Sequence, residues 1–238
     1  HGYTVAYMTT VGDNPERMRS VFTEALRRAD LVITSGGLGA TQGDITKKAG
    51  AEALGLAFHL VPEESARLRA YYEERGRIYQ PAQERQAWFA EGAELLPNDD
   101  GSASGCAVTA GGKTLIHLPG PPFEMKQMAE RHMMPWLERR FGPQGVIRSL
   151  VLSVEGASEV DVEKALMDAV TAQDNPTIAF YARPGYIAVR LTARGTDGED
   201  ALRRIRPLEK LVMERVPAVR YNLEGDARRD LAALVSCL

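Results

Sequence analysis

A glycine-rich segment between an apolar run and a helix-like run constrains the fold of this chain most. Residues 34–46 read Thr-Ser-Gly-Gly-Leu-Gly-Ala-Thr-Gln-Gly-Asp-Ile-Thr, and they separate the apolar residues 31–33 from the helix-like residues 47–54. Glycines allow backbone N–H groups to come close to an anion, and the start of a helix contributes partial positive charge. This order of strand, glycine-rich loop and helix predicts a phosphate-binding turn in an α/β sheet. A tight connection without a ligand is the structural alternative.

An acid stands where this loop becomes a helix. The loop has neither the Gly-Lys-Ser/Thr ending of a P-loop nor the spacing of G-x-G-x-x-G, but it carries Asp44 between Thr41 and Thr46. A divalent cation on a phosphate takes a carboxylate as well as phosphate oxygens, so Asp44 is predicted as a metal ligand and catalytic residue, with Asp13 as a second metal ligand. A helix cap is the alternative role for each of these two acids. The residues predicted to hold the phosphate through backbone amides or hydroxyls are Gly36, Gly37, Gly39, Thr41 and Thr46.

A second strand–loop–helix unit supplies further candidates for substrate binding. The stiff sequence Pro119-Gly120-Pro121-Pro122 follows the β-rich residues 114–118 and precedes Glu124 in the first turn of a predicted helix. Ligands of open α/β sheets gather outside the carboxyl ends of the strands, so this loop and the glycine loop are predicted to face one crevice. The loop from Ser102 to Gly105 leads into a strand and has to fold back to join them. Ordinary scaffolding by the prolines is the alternative.

The remaining pattern divides the chain into two domains and a tail. Residues 1–143 alternate strand-like and helix-like runs, beginning with a predicted strand over residues 4–10, which indicates an α/β domain. A Gly-Pro-Gln-Gly break precedes residues 146–222, whose order β-α-β-β-α-β predicts a small α+β domain with a predicted helix over residues 158–172. Residues 223–238 are predicted to form an amphipathic C-terminal tail.

Composition and charge disfavour several classes of protein. The chain has 238 residues and a formal net charge of −3, so no basic field attracts nucleic acid. No apolar run approaches the roughly 20 residues that a membrane span needs. Cys106 and Cys237 lie far apart without metal-ligand spacing, which predicts free buried thiols in the reducing cytosol. His59 and His117 are predicted to lie in or beside strands as core or rim residues, and no Ser-His-Asp or Cys-His catalytic arrangement is indicated.

Taken together, these motifs resemble those of the CinA (competence/damage-inducible protein A) family. Residues 36–46 are similar to the family's Gly-Gly-Leu-Gly-Pro-Thr-x-Asp-Asp-x-Thr sequence. The other matching segments, in collinear order, are residues 11–14, 86–87, 101–105, 118–126, 175–179, 181–182 and 190–193. The resemblance covers nearly the whole chain, and the combination of motifs is far more specific than any one of them.

This resemblance implies a three-layer α/β domain with a mostly parallel sheet, similar to the MoaB/MogA molybdopterin-binding domain, followed by the small α+β domain in a homodimer. It implies a nucleotide or molybdopterin-like ligand at the glycine loop. It also implies metal-dependent hydrolysis of ADP-ribose to AMP and ribose 5-phosphate, with Mg²⁺ as the expected cation. The family's first strand and Gly-Thr-Glu loop are expected before His1, and its nicotinamide-nucleotide deamidase activity belongs to a further C-terminal domain.

The sequence departs from the family motifs at four positions. Gly43 stands where the family has the first Asp of its pair, Ala40 replaces a proline, and Ser102 and Ser104 replace a threonine and a proline. Three alternatives to hydrolysis are open, and the loss of one acid favours the first of them. These are a non-catalytic pterin- or nucleotide-binding module, molybdopterin adenylyltransfer, and RNA binding through the second domain, which the net charge disfavours.

Overall fold

A computed structural model of the chain describes residues 2–221. The described residues divide into two compact units, Val5–Arg140 on the one hand and residues 141–221 with residues 2–4 on the other. The predicted tail of residues 223–238 and the predicted free thiol of Cys237 lie outside the described residues. No helix within the described part is long and apolar enough to cross a membrane.

The first unit alternates helices and strands as an α/β domain does. Its α-helices are α1 Pro15–Arg28, α2 Thr46–Ala53, α3 Pro62–Glu74, α4 Pro122–Met128 and α5 Met134–Phe141, with a 3₁₀ helix at Pro81–Ala87 and a π-helical turn at Ala129–Met133. Its strands are β1 Leu31–Ser35, β2 Phe58–Leu60, β3 Trp88–Ala90, β4 Glu94–Leu96, β5 Gly105–Ala110 and β6 Lys113–Leu118. The predicted α/β class is thereby confirmed.

The main sheet of this unit has the strand order β1-β6-β5-β4. β1 and β6 run parallel, with Ser35 opposite Leu118, whereas β5 is antiparallel to both β6 and β4. The sheet is therefore mixed, and its parallel pair is the one that carries the two predicted loops. β2 and β3 form a separate antiparallel pair.

Helices cover both faces of this sheet. Phe22 of α1 packs edge-on against the ring of His117 with centroids 6.0 Å apart, and Gly50 of α2 lies against the same ring. Gly105, which sits one residue before the strand partner of His117, points to the other face, where a Cβ would collide with the sulfur of Met128 in α4. The unit thus has helix, sheet and helix layers, and His117 is a core residue as predicted.

The predicted strand over residues 4–10 is wrong. None of these residues is in a strand, and Val5, Tyr7 and Met8 are 76%, 56% and 93% exposed. An alternating apolar pattern forms a strand only where a neighbouring backbone accepts and donates its hydrogen bonds. Within the described residues the sheet ends at β1, and no strand pairs with this segment.

The second unit has the predicted βαββαβ order. Its elements are β7 Val146–Val154, α6 Glu159–Ala165, α7 Met167–Thr171, β8 Thr177–Arg183, β9 Tyr186–Gly195, α8 Gly198–Arg215 and β10 Val219–Tyr221. The strands form one antiparallel sheet in the order β10-β7-β9-β8, packed on a core that includes Leu152, Val189 and Ile205. The single helix predicted over residues 158–172 is divided at Leu166, which is fully buried.

Candidate functional site at the ends of β1 and β6

The two predicted loops leave neighbouring parallel strands and meet at one edge of the sheet. The N–H of Gly36 donates to the carbonyl of Leu118 at 2.9 Å, which extends the β1–β6 pairing by one residue. The hydroxyl of Ser35 donates to the carbonyl of Pro119 at 3.0 Å. These bonds fix the start of the glycine loop against the start of the proline loop.

Gly36 and Gly120 face each other across this junction. A Cβ on Gly120 would lie 3.4 Å from the Cα of Gly36, and Gly36 has a φ of 99°, which L side chains rarely adopt. The surface formed here is consequently backbone, free of side chains. Such a surface carries no side chain that would keep a ligand away, but the N–H of Gly36 is itself engaged by the carbonyl of Leu118, so the predicted phosphate contact cannot come from that amide.

The loop of residues 98–105 joins the same edge because β5 runs antiparallel to β6 and begins where β6 ends. The Asn98 amide organises this loop: its nitrogen donates to the carbonyl of Ala103 at 2.9 Å and to a carboxylate oxygen of Glu124 at 2.7 Å. Its oxygen accepts from the N–H of Gly101 at 2.8 Å. Glu124 is therefore brought to the crevice, with one oxygen engaged in holding the neighbouring loop.

A half-buried ion pair, with the Arg67 side chain 36% exposed, supports this third loop from α3. Arg67 contacts both carboxylate oxygens of Glu64 at 2.8 Å and donates to the carbonyl of Ser102 at 2.5 Å. Glu64 is only 4% exposed. The predicted residues Ser102 and Gly105 thus lie at the edge where the glycine and proline loops meet, although Ser102 is held through its backbone carbonyl.

Asp44 holds the glycine loop together. Its Oδ2 accepts a hydrogen bond from the N–H of Thr41 at 2.8 Å and from the Thr41 hydroxyl at 2.7 Å. Partial burial opposes ionisation of Asp44, but the hydrogen bonds from Thr41 and from the backbone of Gly39 outweigh it, so the pKa of this carboxyl is lowered. A Cβ on Gly39 would lie 2.7 Å from the same oxygen, which is why this position suits glycine.

The predicted threonine donors are engaged inside the loop as well. The N–H of Thr46 donates to the carbonyl of Gly37 at 3.3 Å, and the Thr46 hydroxyl occupies the space that a Cβ on Gly37 would take. Thr46 is 6% exposed. Thr41 and Thr46 therefore shape the loop, and the groups at the crevice surface are the backbones of Gly36, Gly37 and Gly120.

The acids do not act as the helix caps that were their alternative role. The N-cap of α2 is Ile45, which makes no side-chain capping bond, and α1 is capped by Asn14, whose Oδ1 accepts from the N–H of Arg17 at 3.0 Å. Asp13 instead lies beside the loop, with its Oδ2 3.2 Å from the position that a Cβ on Gly43 would occupy. Asp13 and Asp44 thus flank Gly43.

These two carboxylates fit one kind of metal site only. No group of three or more His, Cys, Asp or Glu side chains that could hold a metal ion occurs within residues 2–221. Mg²⁺ commonly binds through one or two carboxylates, several waters and substrate phosphates. Asp13 and Asp44 are compatible with that arrangement and incompatible with a closed site made of protein ligands.

Sequence reasoning missed Lys47, a buried cation in the first turn of α2. Lys47 is 6% exposed, donates to the carbonyl of Gln86 at 2.6 Å and lies 3.8 Å from the centroid of the Phe89 ring. Burial lowers its pKa to about 8. In a sequence, two adjacent lysines near a helix start normally indicate a solvated surface. Lys47 is buried only because the fold brings it against the distant residues 86–89, and the sequence gives no sign of that contact.

Two other titratable groups are buried behind the loops. Burial lowers the pKa of His117 to about 3, so its ring is neutral, and its Nδ1 lies 2.8 Å from the hydroxyl of Thr34. Burial raises the pKa of Cys106 to about 12, so the predicted free thiol is buried and protonated. Neither group is poised for nucleophilic or acid–base chemistry at neutral pH.

Two family models match this chain, one in each of its two compact units. A family model described as a probable molybdopterin binding domain matches residues 1–139, and one described as the damage-inducible protein CinA KH domain matches residues 149–221. The chain is 40% identical over 225 residues to a CinA-like protein of Dictyoglomus turgidum, which covers 94% of this chain and 54% of that protein. A putative competence-damage inducible protein of Clostridium tetani is 36% identical over 225 residues, with the same coverage of 94% and 54%.

The chain thus spans about half the length of these curated relatives. A crystal structure of the protein CinA from Thermoplasma acidophilum, described as of unknown function, is 28% identical and covers 54% of this chain and 72% of its own, with a TM-score of 0.46. The molybdopterin-binding model matches more than half of the residues, and the CinA KH model matches the unit that follows. This chain belongs to the CinA family of competence/damage-inducible proteins.

Proposed function

We propose that the crevice at the ends of β1 and β6 binds the diphosphate of a nucleotide such as ADP-ribose and that the protein hydrolyses it. The observation that carries this proposal is the meeting of Gly36 with Gly120, which leaves a backbone surface at the carboxyl ends of two parallel strands. Anionic groups bind at such surfaces because amide N–H groups reach them without interference from side chains. The molybdopterin-binding family of the domain is consistent with a ligand of this class.

The proposed reaction is attack of water on one phosphorus of the anhydride. The bridging P–O bond breaks, and the products are AMP and ribose 5-phosphate. A divalent cation, when bound, supplies charge neutralisation on the phosphate oxygens and a lower pKa for the attacking water. The chain's own contribution is to orient the diphosphate on the backbone of the loop that follows Gly36, whose own N–H is engaged by Leu118, and to present the carboxylates of Asp44 and Asp13 beside it.

A second function, nucleotide or pterin binding without turnover, is favoured by one specific observation. Two hydrogen bonds from Thr41 already occupy the Oδ2 of Asp44, and Gly43 supplies no carboxylate next to it. Because the carboxylate of Asp44 is engaged in shaping the loop, it is less available to hold a cation or to activate water. Binding of a phosphate to the loop backbone does not require this carboxylate. In this alternative Asp44 stabilises the loop only.

Product analysis decides between the two functions. The protein is incubated with ADP-ribose with and without Mg²⁺, and AMP is quantified by chromatography beside a known pyrophosphatase. We expect Mg²⁺-dependent release of AMP that Asp13→Asn reduces by at least about tenfold. Asp30→Asn is the matched control, because Asp30 precedes β1 at the opposite end of the strand and its side chain is 90% exposed.

The alternative has its own signature in calorimetry. If titration with AMP gives a saturable heat of binding but the protein releases no AMP from ADP-ribose, the protein is a non-catalytic binding module. Absence of both binding and turnover in the protein, with the control enzyme active, contradicts both functions.

A further inference from the structure

A cavity of about 550 Å³ opens beside the glycine loop. Its walls include Gly39 and Asp44 but neither Gly36 nor Gly120, so it lies next to the proposed diphosphate crevice and not within it. Cavities of this size suit small organic ligands. The glycine loop therefore borders two neighbouring concave surfaces, the diphosphate crevice and this cavity. The proposed binding of the diphosphate leaves the cavity without a ligand.

The charged side chains of this cavity favour an anion. Three cations, Lys47, Lys48 and Arg85, line it, against one acid, Asp44, whose Oδ2 already accepts two hydrogen bonds. Lys48 approaches Glu52 only to 3.9 Å, with side chains 63% and 43% exposed, which is a weak surface pair. It is consequently available to a ligand.

Arg85 is held beside the loop without being saturated. Its Nη1 donates to the carbonyl of Thr41 at 3.4 Å, a long bond that uses one of the five N–H groups of a guanidinium. The remaining donors can pair with a phosphate. Arg85 therefore connects the glycine loop to this cavity.

The cavity also carries an accessible aromatic surface. Trp88 is 38% exposed and its ring lies 5.9 Å from that of Phe58, tilted by 36°. Gln86 and Ala87, directly before Trp88, are 3% and 0% exposed, so the indole projects from a fixed stretch of backbone. An exposed, rigid indole is a platform on which a flat heterocycle stacks.

A cation cluster next to an indole is the combination that recognises a nucleoside monophosphate. We propose that this cavity is the subsite for the base-bearing half of the substrate, with the base on Trp88 and its phosphate facing Lys48 and Arg85. The anhydride then continues past Asp44 to the glycine loop. This inference rests on the proposed binding of a nucleotide diphosphate and adds where its nucleoside half lies.

Intrinsic fluorescence tests the stacking directly because the chain has two tryptophans, Trp88 and Trp136, and Trp136 is 4% exposed. Titration with AMP is expected to quench the fluorescence with saturation, whereas ribose 5-phosphate, which lacks the base, leaves it unchanged. Trp88→Leu is expected to abolish the quenching and to raise the Kd of AMP by at least about tenfold in calorimetry. Quenching that persists in Trp88→Leu, or an unchanged Kd, overturns the proposal.

The cations are tested by single substitutions. Lys48→Ala and Arg85→Ala are each expected to raise the Kd of AMP about fivefold or more while leaving the weak binding of adenosine unchanged. Lys210→Ala is the matched control, because this lysine lies on α8 in the second unit and its side chain is 78% exposed. Equal effects of all three substitutions on AMP would show a general charge effect and would contradict the subsite.

Failure of this inference is distinguishable from failure of the proposed hydrolysis. If ADP-ribose is hydrolysed but Trp88→Leu changes neither the KM nor the fluorescence response, the hydrolytic function stands and the subsite is wrong. If AMP quenches Trp88 fluorescence and no ADP-ribose is hydrolysed, the subsite stands in a binding protein. Circular dichroism of each variant shows whether it is folded, and Trp88→Phe, which keeps an aromatic ring, is expected to retain most of the affinity for AMP.

Discussion

The ammonium of Lys47 donates a 2.6 Å hydrogen bond to the backbone carbonyl of Gln86, 39 residues away. This bond joins the first turn of α2, which follows the glycine loop, to the segment that presents Arg85 and Trp88. The Oε1 atom of the Gln86 side chain is itself buried without a hydrogen-bond partner. The carbonyl–ammonium contact is thus a main polar connection between the two walls of the cavity.

Replacement of Lys47 by Met is expected to change the pH dependence of stability. Burial lowers the pKa of Lys47 to about 8 from the usual lysine value of about 10.4, so between these values the unfolded chain binds more protons than the folded one. The stability contributed by Lys47 therefore rises as pH increases through this window. We expect the deficit of Lys47→Met in the free energy of unfolding to grow by on the order of 2 kcal/mol between pH 7 and pH 10.

Urea denaturation at pH 7, 8.5 and 10 measures this difference. Lys48→Met is the matched control, because its neighbouring side chain is 63% exposed and is expected to show no such growth. A deficit for Lys47→Met that stays constant with pH would contradict a lowered pKa for the buried ammonium.

The turn at Gly37 is expected to reject any side chain. Gly37→Ala places a methyl group onto the hydroxyl of Thr46 at a backbone φ of 70°. Gly112→Ala is the matched control, because Gly112 has a φ of 77° and nothing lies within 4 Å of its Cβ position. We expect a loss of about 1 kcal/mol for Gly112→Ala from backbone strain alone, and about 1–3 kcal/mol more for Gly37→Ala from the overlap.

Thermal unfolding of both variants provides the measurement. Equal losses at the two positions would show that the contact between Gly37 and Thr46 does not define the loop. The affinity for AMP is expected to fall only in Gly37→Ala, since Gly112 lies in the hairpin between β5 and β6.

Local sequence patterns predicted the scaffold of the site because they report short-range physics. The predicted strand over residues 31–34 and the prolines after Leu118 indicated two loops at one sheet edge, and the β1–β6 pairing confirms it. Periodicity also predicted the second unit, with its βαββαβ order. The strand over residues 4–10 failed because pairing is non-local: the alternation of apolar residues specifies a face, whereas the partner strand has to come from elsewhere in the chain.

The direction of polar side chains was less accessible to sequence reasoning. Asp44 and Thr46 were predicted as ligands, yet the structure shows both engaged in hydrogen bonds of their own loop. Asn98 was not singled out, although its amide holds Glu124 and the third loop. Such contacts depend on which residues tertiary packing brings together, and a single sequence carries no signal of that.

Asp44 is expected to stabilise the loop only while it is ionised. Its pKa is lowered because the hydrogen bonds from Thr41 and Gly39 outweigh the opposing effect of burial. A carboxyl group with a lowered pKa contributes stability that is present above its unfolded value near 4 and lost as pH falls through the folded value. Asp44→Asn is therefore expected to be less stable than the unmodified chain at pH 6 and to approach it at pH 3.

Chemical denaturation at pH 6, 4.5 and 3 measures how the free energies of unfolding of Asp44→Asn and of the unmodified chain converge. Thr41→Val removes the hydroxyl donor but keeps the Thr41 N–H, so it is expected to show a smaller deficit with the same pH trend. Two deficits that remain parallel down to pH 3 would mean that the Asp44 charge plays no part in holding the loop.

The hydrogen bond between Asn98 and Glu124 requires a donor at position 98 and an acceptor at position 124, so its loss is expected to destabilise the protein. Asn98 is 8% exposed and its amide nitrogen lies 2.7 Å from a Glu124 oxygen, so Asn98→Asp places two carboxylates side by side and leaves the carbonyl of Ala103 without its donor. We expect a loss of about 2–4 kcal/mol in the free energy of unfolding at pH 7. Part of this loss is expected to be recovered at lower pH, because protonation of one of two adjacent carboxylates removes their repulsion.

The double variant Asn98→Asp with Glu124→Gln separates charge repulsion from the lost hydrogen bond. It reverses donor and acceptor, because an amide at position 124 now donates to a carboxylate at position 98, while the carbonyl of Ala103 stays unpaired. We expect it to regain about half of the lost stability at pH 7 and to show no further recovery at lower pH. If the double variant is as unstable as Asn98→Asp alone, the loop is held by other contacts, such as that of Arg67 with the carbonyl of Ser102.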